Sequence, residues 1–269
     1  MKLPITDPEL INRISAGREA VLAQTKLLHQ EFGQVKSQWK ADGTRVTAVD
    51  IEISEKIFAE LENKFPHDQF FSEELVHAGP PIAVTSHYCW ILDPIDGTNN
   101  YALGIPHCAI SLSLLSDGEP VYGFVYDLGR RSLMHGGPGF GVYDGDHETK
   151  LKSQSLNRQS VIGFHSPYED RFASHAAVLV NNFKIRALGT STIHLAYVGI
   201  GLFDGVVDHN VKVWDIAAAV PLVLANGGVV EYISKSPFPL QEFDLAMDRI
   251  FYVAGSQVSV TELRGRLGV

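Results

Sequence analysis

The chain has 269 residues, 45% hydrophobic and 20% charged, enough to bury one large core or two modest ones and too apolar for a disordered segment. A formal net charge of -9 and a pI near 5.6 argue against broad electrostatic binding to nucleic acid or anionic membrane, although bound cations could still admit an anionic substrate. Two cysteines, Cys89 and Cys108, in apolar surroundings offer no disulfide framework, and neither a signal-peptide core nor an apolar run of about 18 residues is present, so a cytoplasmic protein is expected.

The N-terminal segment predicts a helix, with Asp7 as N-cap, Pro8 at the first position and a stripe of Leu10, Ile14, Gly17, Val21, Leu28 and Phe32 closing near Gly33. After the polar turn KADGT, RVTAVD leads into a second amphipathic helix carrying Ile53, Ile57 and Leu61, which ends before Pro66. From Tyr88 the pattern turns to strands: YCWIL, AISLSLL, PVYGFVYD and RSLMHG, then a glycine-rich hairpin in GGPGFGVYDGD. The polar stretch ETKLKSQSLNRQS reads as a joint between two sub-lobes of one unit, approximately 1–148 and 149–269. Beyond it, strands VIGFHS, KIRAL, FDGVVDH, VVEYI and IFYVAG alternate with helices around Arg171–Asn181, from Thr190, over VWDIAAAVPLVLANGG and at the C-terminus. Layered sheets and helices of α/β or α+β type follow.

Three stretches drive apolar runs into acids. WILDPIDGTNN passes from a buried strand into Asp93 and Asp96 through the stiff Pro94, then into Gly97 and Thr98, which suit a helix start or a nest of backbone N–H groups for phosphate. FFSEELV ends in Glu73 and Glu74, and KVWDIAAA places Asp215 at a helix start. Carboxylates gathered at such rims repel one another unless a cation joins them, and oxygen-only ligands point to a hard ion such as Mg²⁺. Two such ions roughly 3.5–4 Å apart can activate a water and stabilise the leaving oxygen of a phosphate ester.

DPIDGTNNY, FSEEL and VWDIAAA, in the chain, resemble the three signatures of the inositol monophosphatase family. KADGTRVTAVD is similar to that family's upstream lysine and Thr-x-x-Asp segment, and GTSTIHLAYVGIGLFDGVVD to its later helix and strand. The resemblance covers nearly the whole chain. It implies an α+β fold, layered as an α-β-α-β-α sandwich, and Mg²⁺-dependent hydrolysis of a phosphate monoester, with lithium sensitivity and homodimers in many members. Matched residue by residue, it implies two to three Mg²⁺ ions held by Glu73, Asp93, the Ile95 carbonyl, Asp96 and Asp215, with Asp93 bridging and Glu73 also facing a third, weaker ion. Thr98 and Asp50 would orient the attacking water, the N–H groups of Gly97 and Thr98 would cradle phosphate, and Asp96, Gly189, Ser191 and Asp208 would complete the substrate set.

Taken singly, the same residues have plainer roles. Asp215 and Asp50 would serve as helix caps. Glu74 would be a solvated neighbour of Glu73, Lys40 a surface lysine, and His107, His165, His194 and His209 polar packing or rim residues. The sequence also departs from the family pattern: Asp208 stands where Glu is common, Ser191, Thr192 and His194 replace an Ala-rich stretch, and Ser72 replaces a common Gly. These departures leave the metal set whole and bear on the substrate. A myo-inositol monophosphate leads, ahead of fructose 1,6-bisphosphate, a nucleotide 3′-phosphate, histidinol phosphate or NADP. A regulatory binding protein that keeps the fold is the alternative from another class. A small phosphorylated metabolite is the expected partner, with a homodimer and neither membrane nor nucleic acid.

Overall fold

The computed structural model describes residues 7–39, 45–75 and 79–269; Lys40 lies outside them. Helix α1 (Pro8–Glu31) starts with the Asp7 carboxylate accepting the Glu9 N–H at 3.0 Å. The antiparallel pair β1 (Ser37–Trp39) and β2 (Arg45–Thr47) leads into α2 (Ala48–Lys64). Here the cap is Thr47, and Asp50, three residues on, closes a capping box with it. Asp50 alone is therefore not the cap, a correction to the plainer reading of that residue.

The chain continues through β3 (Gln69–Ser72), β4 (Ile82–Ala83), β5 (Tyr88–Asp96), α3 (Thr98–Leu103), β6 (Ala109–Ser116), β7 (Glu119–Asp127), β8 (Ser132–Gly137), β9 (Gly141–Asp144) and β10 (His147–Glu148). Residues 149–160 carry no helix or strand. Then come β11 (Val161–Phe164), a single 3₁₀ turn at Asp170–Phe172, α4 (Ala173–Asn182), β12 (Lys184–Arg186), α5 (Ser191–Gly199) and β13 (Gly205–Val211). Helices α6 (Val213–Ile216) and α7 (Val220–Ala225), strands β14 (Val229–Tyr232), β15 (Glu242–Phe243) and β16 (Ile250–Gly255), and α8 (Gln257–Leu267) complete it.

A seven-stranded sheet runs β10-β9-β8-β7-β6-β5-β3, antiparallel except for the β3–β5 pair. A five-stranded mixed sheet runs β12-β11-β13-β16-β14. Strand β5 reads as one apolar run because both of its faces are covered. Trp90 and Leu92 pack outward with Val21, Ile53 and Ile57 of α1 and α2. Cys89 and Ile91 point inward, into a core shared with Leu195 and Val198 of α5, Leu222 of α7 and Ala254 of β16. On the far side, α4 and α8 cover the five-stranded sheet through Leu179, Val260 and Leu263. The layers alternate α-β-α-β-α, as the resemblance implies.

The stretch VWDIAAAVPLVLANGG, expected as one helix, is two. Pro221 has no N–H for the Ala217 carbonyl, and its ring would collide with that carbonyl in a continuous helix. The Ala217 oxygen instead accepts the Ser113 hydroxyl of β6 at 2.9 Å, tying the break to the sheet. The neighbouring Ala218 oxygen packs so closely on β7 that a Cβ on Gly123 would stand 1.7 Å from it. Gly123→Ala should therefore destabilise the protein by about 3 kcal/mol, the upper end of ordinary overpacking. Denaturant midpoints would check this; a variant as stable as the parent would mean that the contact is soft.

Candidate active site

Asp93 and Asp96 are three residues apart on one strand, a separation that in regular pleating sends side chains to opposite faces. The β5–β6 register shows how they come together. Asp93 pairs with Ser111 and Asp96 with Ala109, so three steps on β5 oppose two on β6. This bulge at Pro94–Ile95 absorbs one residue and turns both carboxylates the same way. With Asp215, from the first turn of α6, their oxygens lie within 4.8 Å of one another. Glu73, just after β3, and Ile95 line the same pocket, which encloses about 470 Å³.

Each acid is held by local donors. Ile95 N–H donates to Asp93 Oδ1 at 3.1 Å, and Lys212 N–H to Asp215 Oδ2 at 2.7 Å. Asp96 Oδ2 accepts the Thr192 N–H at 2.7 Å and the Thr190 hydroxyl, both from the start of α5, whose dipole favours an anion there. Burial still dominates. It pushes Asp93 and Asp215 well above the usual carboxylate range, helped by Glu73 and Asp96 in both cases. Asp96 is raised by burial as well, against the lowering from Thr190 and Thr192.

Thr98 and Asp50 meet beside this cluster. Asp50 Oδ2 is occupied by the N–H and hydroxyl of Thr47, at 2.8 and 2.6 Å, while Oδ1 stands 3.3 Å from Thr98 Oγ1. The Thr98 hydroxyl also lies 2.9 Å from the Ile95 carbonyl, and its single proton can serve only one of the two at a time. Gly97 caps α3 in the left-handed region at φ 88°, and a Cβ there would come 2.8 Å from the His107 carbonyl. Gly189, at φ 74°, has a similar limit against Asn100. Asn100 Nδ2 bonds the carbonyls of His107 and Leu188, both at 2.7 Å, and so holds the two glycine turns together.

The structure sets Asp208 behind the pocket wall. It is completely buried on β13 and does not line the pocket; its carboxylate accepts Ser191 Oγ at 2.9 Å and the Asn210 N–H at 3.1 Å. Ser191 faces the pocket in its place, with His165 Nδ1 at 3.2 Å. An aspartate one methylene shorter than the common glutamate stops behind the serine.

His165, His194 and Asp208 also bring ligand-type atoms within 4.8 Å. His194 cannot serve a metal there. Its Nε2 accepts the Leu188 N–H at 2.9 Å, so the ring proton sits on Nδ1 and neither nitrogen has a free lone pair. Burial holds this imidazole down at about 3, hence neutral.

Reading the sequence missed Thr190 and Asn100 as supports, and Arg45, Lys212 and Arg249 as cationic pocket walls. Thr190 carried a signal as the N-cap of a predicted helix; the three cations carried none beyond their charge. Ser72, the departure before Glu73, is buried, accepts the Glu74 N–H at 3.2 Å and meets Ser54 Oγ at 3.1 Å, which fixes the turn that presents Glu73.

Comparison with known proteins agrees with the fold. The fructose-1,6-bisphosphatase/inositol-1-monophosphatase of Aquifex aeolicus is 31% identical over 242 residues, covering 85% of this chain and 88% of that protein. The inositol-1-monophosphatase of Rhizobium meliloti is 32% identical over 221 residues, covering 78% and 81%. The crystal structure of the extragenic suppressor protein suhB from Bartonella henselae superposes with a TM-score of 0.83 over 95% of this chain and 98% of that one, at 24% identity, which speaks to the fold alone. The model of the inositol monophosphatase family matches residues 9–261, the span that holds every acid of the pocket, and the chain belongs to that family of phosphomonoesterases.

Proposed function

We propose that the chain hydrolyses a small phosphate monoester with Mg²⁺ in the Asp93, Asp96 and Asp215 site, completed by Glu73 and the Ile95 carbonyl. The observation that carries the reading is that cluster: Asp93, buried, and Asp96 and Asp215, half-buried, converge within 4.8 Å of one another on a pocket, where desolvation and mutual repulsion raise Asp93 and Asp215. All of the donor atoms are oxygens, which fits a hard divalent ion. Bound there, the ions would neutralise the phosphoryl oxygens and acidify the attacking water.

The chain's own residues supply the rest. Asp50, with one oxygen committed to Thr47, offers the other to Thr98, so the Thr98 oxygen can accept from a water and aim it at phosphorus. The N–H groups of Gly97 and Thr98 receive the phosphate, as at other helix starts. Attack breaks the bond from phosphorus to the alcohol oxygen, a proton from water ends on the alcohol, and inorganic phosphate remains. Ser191, its proton committed to Asp208, presents lone pairs to a substrate hydroxyl. A myo-inositol monophosphate is the first substrate to test. Lithium sensitivity, a homodimer and a cytoplasmic site belong to the same reading and rest on the family resemblance.

Phosphate release from myo-inositol 1-phosphate and glycerol 2-phosphate should require Mg²⁺ and be inhibited by Ca²⁺, which prefers more ligands at longer distances. Full turnover in excess chelator would sink the reading. Asp93→Asn should lower kcat about 10²–10³-fold while the fold persists. Thr98→Ala should lower kcat about 10²-fold with KM little changed, because its contact is made in the transition state. If Thr98→Ala loses melting temperature and keeps kcat, the residue is structural.

The raised carboxylates also set a pH dependence. Without metal, the folded state binds more protons than the unfolded one, so these groups weaken it progressively as pH rises from the ordinary aspartate value near 3.8 through the raised ones. Stabilisation by Mg²⁺ should therefore grow over the same interval. At neutral pH in chelator, Asp93→Asn should melt about 2–4 °C above the parent, about 1 kcal/mol for a chain of this size. Thermal scans in chelator and in Mg²⁺ would check this, and a lower melting temperature for the variant in chelator would contradict it.

A further inference from the structure

Strands β11 and β13 run parallel with Phe164 opposite Val207, so the next residues, His165 and Asp208, stand beside each other. Ser191, the first residue of α5, joins them: its Oγ lies 2.9 Å from Asp208 Oδ2 and 3.2 Å from His165 Nδ1. His165 and Ser191 line the carboxylate pocket, and the fully buried Asp208 closes the row from behind. The residues on either side of Ser191, Thr190 and Thr192, are the donors to Asp96. An ester with its phosphate at Asp96 and Gly97 therefore has this wall within reach of its alcohol portion.

The inner end of the row fixes the direction of every hydrogen bond in it. Asp208 Oδ1 accepts the Asn210 N–H at 3.1 Å, and an ionised carboxylate has no proton to give, so Ser191 donates to Oδ2. A hydroxyl has one proton, and Ser191 must then accept from His165. That places the imidazole proton on Nδ1 and leaves a lone pair on Nε2, which has no hydrogen-bond partner among the described residues. The donors of the row all point inward. What it turns to the pocket is two neighbouring acceptors, His165 Nε2 and the second lone pair of Ser191 Oγ.

We infer that His165 is a specificity-determining residue, whose Nε2 accepts a hydrogen bond from one hydroxyl of the ester's alcohol portion while Ser191 Oγ accepts from its neighbour. Asp208 acts on the substrate only through these two, as a positioning residue. The inference rests on the phosphatase reading and assigns recognition at that site to a neutral imidazole in place of a carboxylate. An alcohol without hydroxyls would bury both lone pairs unpaired, and a site built to bond a hydroxyl rejects the analogue that lacks it. A carboxylate or second phosphate at this wall would meet acceptors only.

His165→Phe keeps a ring of similar shape and removes both nitrogens. In Mg²⁺ it should lower kcat/KM for myo-inositol 1-phosphate about tenfold more than for cyclohexyl phosphate, the same ring without its hydroxyls. Equal losses on the two esters overturn the assignment. Nitrogen NMR of the imidazoles separates it from the phosphatase reading. In chelator, at alkaline pH where imidazoles are neutral, His165 should carry its proton on Nδ1, and a proton on Nε2 overturns the row. Asp208→Asn should reverse it. The Asn210 N–H keeps the new amide's oxygen, the amide N–H donates to Ser191, Ser191 donates to Nδ1, and the ring proton moves to Nε2. An unchanged tautomer in that variant overturns the positioning role of Asp208. With Ca²⁺ in place of Mg²⁺, the Nε2 resonance should move when myo-inositol 1-phosphate is added and stay in place with cyclohexyl phosphate. That result supports the assignment even if neither ester is hydrolysed, and the same response to both overturns it.

Discussion

The site depends on the enforced proximity of carboxylates that repel one another. Regular β5 would separate Asp93 from Asp96 by the thickness of the sheet, and the bulge at Pro94–Ile95 removes that separation. Proline suits the place because a bulge leaves a residue outside the ladder, where a missing N–H does no harm. The arrangement is unfavourable for the empty protein: burial and mutual repulsion raise Asp93 and Asp215 well above the ordinary range. A hydrogen bond to a charged group contributes about 1.5–3 kcal/mol, and Asp93 and Asp215 each receive one backbone N–H. That is too little to offset the desolvation and crowding of these acids, so the fold holds an excess of negative charge that a cation can neutralise.

The second sheet repeats the device. Asp208 on β13 is followed by a register slip of the same size, and its Oδ1 accepts the N–H two residues on at 3.1 Å, as Asp93 Oδ1 does. In both strands the acid closes a turn with its own backbone while the chain gains one residue. Helix α5 lies between the two sheets. Its first turn gives Asp96 two donors through Thr190 and Thr192, and Ser191, between them, donates to Asp208. Three consecutive residues at one helix start thus set the positions of acids from two sheets.

Much of this was legible in the sequence and some was not. Asp7-Pro8 announced α1, the continuous apolar run YCWIL announced β5, and the acids at the ends of apolar runs announced the site. Local pattern suffices where a residue's role follows from its neighbours in the chain. The bulges were invisible because register is a property of two strands, and DPID reads alike with or without an extra residue. The burial of Asp208 was missed for a related reason: its depth depends on Ser191, seventeen positions away, and on the length of one methylene. The break at Pro221 could have been read from Pro221 itself, but its purpose could not, since the freed Ala217 carbonyl is satisfied by Ser113.

That break links the acid set to the sheet. Asp215 sits in a four-residue helix, too short to be rigid alone. What fixes it is the turn behind it, where Ala217 takes the Ser113 hydroxyl and Ala218 rests on Gly123, so that β6 and β7 anchor the chain two to three residues beyond the acid. From the other side, the Thr192 hydroxyl donates to the Asp215 carbonyl at 2.7 Å. Asp215 is thereby referenced both to the sheet that carries Asp93 and Asp96 and to the helix that holds Asp96. A single α-helix through residues 213–225 would present Asp215 equally well to solvent, but its backbone would have no free carbonyl at Ala217 and no register with β6. The interruption that looks like a defect in the helix is what gives the third carboxylate a fixed distance from the other two.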